Sequence, residues 1–191
     1  GDVVRDNLPL MLRMFERNDM AMVSNIEHMT APALVAKQPT PQQIRDGVEH
    51  LFMVGRWGTL CPLHSSRQGG SGYSEGDVRW PAVHYFHPEI QKRLLAIVEE
   101  PAKRYGRFPA WKGVCILLSR VFGPMDPALL RDDEPLNWGY EDYTVNLFQE
   151  ETGIEVPVEP TDPERFEHRC QWIRENVKAE WIEWRCNRYT D

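Results

Sequence analysis

Residues 113–119, GVCILLS, restrict the possible folds more than any other stretch of the chain. The run has strand length and is apolar without interruption. An alternating pattern would let one face meet water, whereas a continuous one calls for cover on both faces, as in a mainly parallel sheet. Parallel strands need long crossovers, and these are normally helices. The chain is therefore expected to be α/β.

The flanking segments supply such helices. Asn7-Leu8-Pro9 opens one, with Leu8, Met11, Leu12 and Phe15 on one face and Asn18 as its stop. MAMVSNI, 20–26, is a second run of strand length. Thr40-Pro41-Gln42-Gln43 matches a capping box with proline in the first turn, which predicts a helix to about His50. LFMVGRWG (51–58) and WPAVHYF (80–86) flank a Gly- and Ser-rich loop, 64–77, and are expected to pair as an inserted hairpin.

Pro88 opens a helix with Ile90, Leu94, Ile97 and Val98 toward the core and Gly106 as its cap. Pro101 should kink that helix or end it early. After the proline-rich segment 123–137, a helix is expected to begin near Glu141 and to stop at Gly153. A last helix follows Thr161-Asp162-Pro163-Glu164, another capping-box pattern. Phe166, Cys170, Ile173, Val177, Trp181 and Trp184 recur along it at steps of three and four, so that stripe is read as core.

The predicted order is helix, strand, helix, hairpin, helix, strand, helix, helix. At 191 residues this is one domain, residues 1–191. Two central strands are too few for a closed eight-fold barrel, so the domain is expected to be part of something larger.

The net charge of −7, with no Lys/Arg cluster, argues against a nucleic-acid surface. No apolar run has the length of a membrane span. No signal peptide opens the chain, and with Gly1 at its start a trimmed one stays open. The four cysteines show no CxxC spacing, and Cys170 and Cys186, on one predicted helix, lie beyond disulfide reach. Thiols are expected, which leans toward a reducing, cytoplasmic compartment. Seven tryptophans point to a large aromatic core, a ligand-stacking surface, or both.

Three stretches carry a resemblance: HPEIQKRLLAIVEEPAKRYGRFPAWKGV (87–114), GYEDYTVNLFQEETGIEVP (139–157) and WIEWRC (181–186). Over residues 84–188 the chain resembles bacterial glycoside-hydrolase-like proteins built on a (β/α)₈, TIM-barrel-like fold related to the family-10-like barrels. The resemblance implies a partial (β/α)-barrel fragment with an inserted β-hairpin and long outer helices. It implies a carbohydrate-active protein acting on or binding a polysaccharide or oligosaccharide, with no cofactor. The alternative is a non-catalytic barrel fragment or carbohydrate-binding module. One departure matters: the strand at 113–119 runs into Ser119-Arg120, where related barrels often carry an acid.

Glycoside hydrolysis uses two carboxylates across the scissile bond, and barrels present them at the carboxyl ends of strands. Glu27, one residue past MAMVSNI, is the candidate catalytic acid/base, and His28 beside it is placed to orient a sugar hydroxyl. A loop cap or an arginine pair explains Glu27 equally well. Arg120 joins the substrate-binding candidates, as do Trp138, Tyr140, Glu141 and Asp142. The two aromatic rings either stack on a sugar or staple the helix entrance to the barrel wall. The two acids also suit a helix first turn, where the dipole favours negative charge.

His84-x-x-His87 with Glu89 offers metal-ligand types, but strand positions i and i+3 face opposite ways and no metal site is expected. Ser65-Ser66 lacks a nucleophile elbow, and GGSGYSEG lacks the lysine of a phosphate loop. A two-strand sheet leaves open edges, and the C-terminal stripe exceeds what such a sheet covers, so a homodimer is expected.

Overall fold

The structure, a computed structural model, describes residues 6–26, 37–61, 82–116 and 136–190. Glu27, His28, Arg120, the loop 64–77 with Ser65 and Ser66, and most of the proline-rich segment 123–137 lie outside these residues. Among the described residues the elements run α1 (Leu8–Arg17), β1 (Met22–Ile26), α2 (Pro41–Arg45), α3 (Pro88–Tyr105), β2 (Trp111–Ile116), α4 (Asp142–Thr152), α5 (Arg165–Asn176) and α6 (Lys178–Thr190). The chain is mixed α/β, in nearly the expected order.

β1 and β2 pair in parallel, with Ser24 opposite Val114, Asn25 opposite Cys115 and Ile26 opposite Ile116. Between Met22–Trp111 and Ser24–Val114, β2 spends one residue more than β1, an irregularity of the bulge kind. Trp111 Nε1 donates to Ser24 Oγ across the pair at 2.9 Å. Cover on both faces, expected from GVCILLS, is not found for this part: Val23, Lys112 and Cys115 are exposed. Beside the sheet lies a small core of Leu12, Tyr105, Phe108 and Ala110, joined by Phe15, Met22 and Trp111.

Local chemistry sets the helix ends. Asn18 stops α1 by donating from Nδ2 to the Met14 carbonyl at 2.8 Å. The capping box at Thr40 forms as expected, with Thr40 Oγ1 accepting from Gln43 N–H at 3.2 Å and Gln43 Oε1 accepting from Thr40 N–H at 2.8 Å. α2 nevertheless ends at Arg45, short of His50, because Gly47 takes a φ of +71° and turns the chain away.

α3 runs through Pro101 to Tyr105, so the proline does not end it early. Its ends explain this. Ile90 is buried near the start, and Tyr105 is buried at the finish with its hydroxyl donating to Asp6 at 2.8 Å. Anchoring at both ends outweighs one missing backbone bond.

The expected hairpin exists as short bridges rather than long strands. Phe52 pairs antiparallel with Val83, Val54 with Leu60, and Gly55 with Trp138. The expected single C-terminal helix is two. Asn176 Nδ2 bonds back to the Trp172 carbonyl at 2.8 Å, and Val177 leaves helical angles at φ −141°. The capping box at 161–164 does not form. Asp162 takes that role, accepting from Glu164 N–H at 2.8 Å and meeting His168 Nδ1 at 2.6 Å.

The break at Val177 lets both halves of the stripe turn inward. Phe166, Cys170, Ile173, Trp181 and Trp184 are buried within the chain itself, against Phe148 and Tyr140 of the α4 region and against Phe52, Phe86 and Ile90. The stripe therefore does not need a second copy to cover it. Among the described residues the exposed large apolar side chains are elsewhere: Leu10, Met11 and Met14 on α1, Met20, Val23 on β1, Val48, Trp57, and Leu95 on α3.

Buried arginines fasten the segment that enters α4. Arg185 Nη1 donates to the Trp138 carbonyl at 2.7 Å and Arg169 Nη1 to the Tyr140 carbonyl at 2.9 Å. Such contact demands a bare backbone between the two carbonyls. At Gly139, φ +94°, a Cβ would stand 2.1 Å from Arg185 Nη1. Gly153, φ +72°, ends α4 with nothing within 4 Å of a built Cβ. Gly139→Ala should therefore lower unfolding stability by about 2–4 kcal/mol, strain and clash combined. Gly153→Ala should lose only about 1 kcal/mol, for the left-handed conformation alone. Urea denaturation of the two variants side by side checks the difference.

Candidate functional site

The segment 136–142 bends the chain from the Gly55 bridge into α4. Its aromatic residues lie inside the protein. Trp138 is 1% exposed and Tyr140 0%. The Tyr140 ring stacks on Trp181 with centroids 6.0 Å apart and planes 4° apart, and its hydroxyl donates to the Leu136 carbonyl. Trp138 meets Trp57 edge-on at 5.7 Å. Of the two roles open to these rings, this placement is that of a staple, with ring surface spent on the core.

The adjacent acids have contrasting surroundings. Glu141, only 4% exposed, is the N-cap of α4. Its carboxylate accepts from Val54 N–H at 2.8 Å and from Thr144 Oγ1, and lies 2.9 Å from His84 Nε2. Burial alone would raise its pKa. The hydrogen bonds and charge from His84, with those of Thr144 and the Val54 amide, outweigh it and hold the group at about 2.

Asp142 keeps a side chain 32% exposed. Its Oδ1 lies 2.6 Å from Arg169 Nη1 and 3.5 Å from Arg165 Nε. Its Oδ2 faces Gly47, where a built Cβ would stand 3.4 Å away.

Between the end of α2 and the first turns of α4 lies a cleft of about 220 Å³, whose walls include Glu49, His50, Asp142, Tyr143, Asn146 and Arg165. Arg165 builds one side by donating to the Arg45 carbonyl at 2.8 Å and the Ile44 carbonyl at 2.7 Å, while its guanidinium lies 4.3 Å over Phe166. A cation on the last carbonyls of a helix is a favourable pairing. His50 Nδ1 accepts from Phe52 N–H at 3.3 Å, which places the ring proton on Nε2. Burial lowers the His50 pKa, only partly offset by the nearby Glu141 charge, so the ring is neutral at pH 7.

No protein family, curated protein or solved structure matches this chain.

The cleft brings together two of the residues singled out in the sequence, Glu141 and Asp142. Glu27, His28 and Arg120 lie outside the described residues. His84 and His87 serve different partners: His84 binds Glu141, while His87 Nδ1 accepts from Glu89 N–H at 3.1 Å and caps α3. Among the described residues no group of three or more His, Cys, Asp or Glu side chains is set to hold a metal ion. His50, Asn146 and Arg165 were not anticipated. Gly47, set within a run read as helical, was the one local signal that the chain turns there and opens a space.

Glu141 also sets an acid limit. Its folded pKa lies below that of a free carboxylate, so its contribution is present above about pH 4.3 and is lost as pH falls through about 2. The shift corresponds to about 3 kcal/mol. Glu141→Gln should be less stable than the native chain at pH 7, and the gap should shrink steadily between those two pH values. Thermal unfolding of both proteins across that range is the measurement. A gap independent of pH would refute the assignment.

Proposed function

We propose that this chain is the scaffold and part of the sugar site of a glycoside-hydrolase-like, carbohydrate-active protein, its parallel strand pair being part of a (β/α)-barrel. The observation that carries the reading is the cleft. It is smaller than the roughly 300–1,000 Å³ of drug-sized sites, a scale that suits a single sugar ring. Tyr143 and Phe166 offer aromatic walls, and Asp142, Asn146 and the Nε2 proton of His50 offer hydrogen-bonding groups for hydroxyls. The strand pair is consistent with this. β1 and β2 run in parallel, Ile26 is opposite Ile116, and Glu27 is the next residue in the chain after β1. Barrel enzymes carry their acids at such strand ends.

A specific observation favours the second reading, binding without cleavage. A general acid must hold a proton near neutral pH. Glu141, at about 2, is ionised and committed to Val54, Thr144 and His84. The proton donor for any cleavage must therefore be another group, and Glu27 is the candidate.

Glycan binding followed by a reducing-sugar assay separates the two readings. Asn146→Ala should weaken oligosaccharide binding about tenfold, the loss of one good hydrogen bond to a ligand. Glu27→Gln should leave binding intact and abolish sugar release if the chain hydrolyses. Binding without release in the native chain would select the second reading. Failure to bind any glycan would sink both.

We also propose self-association through the exposed Leu10, Met11 and Met14 of α1 and Val23 of β1. Met11→Glu with Met14→Glu should shift the chain from dimer to monomer in light scattering at tens of micromolar. A native chain already monomeric there would refute it.

A further inference from the structure

Residues 47–50 form one wall of the cleft. Gly47 turns the chain out of α2, and the Gly47 and Val48 amides bond back to the Ile44 and Gln43 carbonyls. The next fixed point is Leu51, whose carbonyl accepts from His84 N–H at 2.8 Å beside the Phe52–Val83 bridge. Between these points, among the described residues, the polar contacts that hold the segment are two, both through side chains. Glu49, 83% exposed, lies 3.7 Å from His87 Nε2, and His50 Nδ1 accepts from Phe52 N–H at 3.3 Å.

The His50 contact is the one that a proton can break. A neutral imidazole has a single basic nitrogen, and here Nδ1 is already spent on Phe52. A proton taken up by the ring must enter there. It turns the acceptor into a second donor and sets N–H against N–H. The Phe52 amide, in a residue 2% exposed, is then left without its acceptor, which is costly inside a protein. The bridge gives it no substitute, because that pairing uses Met53 N–H on the Ala82 carbonyl and His84 N–H on the Leu51 carbonyl.

The surrounding charges do not remove this conflict. Burial, the largest influence on His50, opposes a charged ring and His84 opposes it too, while Glu141 and Asp142 of α4 favour it. The balance holds the His50 pKa below its ordinary value. Arg165 of α5 lines the same cleft as a permanent cation. His87 and Glu49 act in the other sense, since a proton on His87 tightens their contact. With Glu49 so exposed, that pair is weak.

We infer that residues 47–51 are an acid-opened flap, closed over the cleft while His50 is neutral and released when the ring is protonated. The sign follows from linkage. An opened flap gives His50 to water, where it titrates at about 6.5, whereas the closed flap takes the proton less readily. Closure is therefore fully favoured above about pH 6.5 and weakens as pH falls below it toward the lower pKa of the closed state. Once released, Gly47 to His50 no longer wall the cleft, and a ligand held against Asn146 and Tyr143 loses that side of its site. The device requires no particular ligand and stands apart from the carbohydrate reading.

Native-state amide exchange of the whole chain, followed by NMR between pH 7 and pH 5, tests the flap. That range lies above the titration of Glu141. Protection of the Phe52 amide, corrected for intrinsic rates, should fall severalfold relative to the Phe148 and Trp181 amides of the core. The ceiling, set by a free histidine, is about twenty-five-fold. The fall should be insensitive to low urea, because a local opening exposes little surface. His50→Asn puts an oxygen in place of Nδ1 and does not titrate, so its Phe52 protection should stay level. In the native chain the His50 ring and the Phe52 amide shift should titrate with one midpoint below about 6.5, a comparison that needs no variant. Phe52 protection that tracks the core amides at every pH would overturn the inference. So would an equal fall in His50→Asn, or separate midpoints for the ring and the amide.

Discussion

Buried arginines on backbone carbonyls are the interaction on which the rest of this structure depends. Arg165, Arg169 and Arg185 come from the two C-terminal helices and are almost wholly removed from water. Desolvating a guanidinium is expensive, and it is tolerable only where good acceptors replace the solvent. Here the acceptors are the carbonyls of Ile44, Arg45, Trp138 and Tyr140, with Asp142 as the carboxylate partner. Each such bond is charge-assisted. Together they tie α5 and α6 to the end of α2 and to the entrance of α4. Removing one arginine would strand carbonyls inside the core, so the loop and the helices must be in place together.

That fastening explains how adjacent acids acquire different work. The carbonyls of Trp138 and Tyr140 are pulled toward the arginines, and Gly139 allows the turn between them. Glu141 then follows with its side chain directed into the protein, where Val54, His84 and Thr144 enclose it. The next residue, Asp142, starts the helix, touches the arginines with one oxygen and faces the cleft with the other. One carboxylate is a fully enclosed structural anion, and its neighbour is a half-exposed ion-pair partner at the wall of the cleft.

Much of the scaffold was legible in the sequence because local rules decide it. The Asn18 stop, the Thr40 capping box, the Gly153 stop and the parallel strand pair depend on neighbouring residues or on apolar runs. The site was less legible. Charged residues are read by default as solvated, and nothing local marks Arg165, Arg169 and Arg185 as exceptions. Glu141 finds Val54 87 residues away in sequence, a pairing that no spacing rule contains. Trp138 and Tyr140 suit lip and staple alike by local pattern, and only their packing against Trp57 and Trp181 separates the two. The break in the C-terminal helix is hidden for a related reason. A stripe at steps of three and four continues smoothly across Val177, although the backbone does not.

α3 connects the two parts of the molecule. Ile90 near its start belongs to the aromatic core with Phe86 and Trp184, and Tyr105 at its end belongs to the smaller core beside the strands. At about 1.5 Å per residue these anchors are roughly 22 Å apart, which makes the helix a strut between separate clusters. Two separate cores could drift relative to each other if joined only by loops. A helix seated in both cannot bend freely without unseating one end, and this is why Pro101 is absorbed rather than breaking it. The same strut links the strand pair, where Glu27 follows β1 in the chain, to the core that carries the cleft.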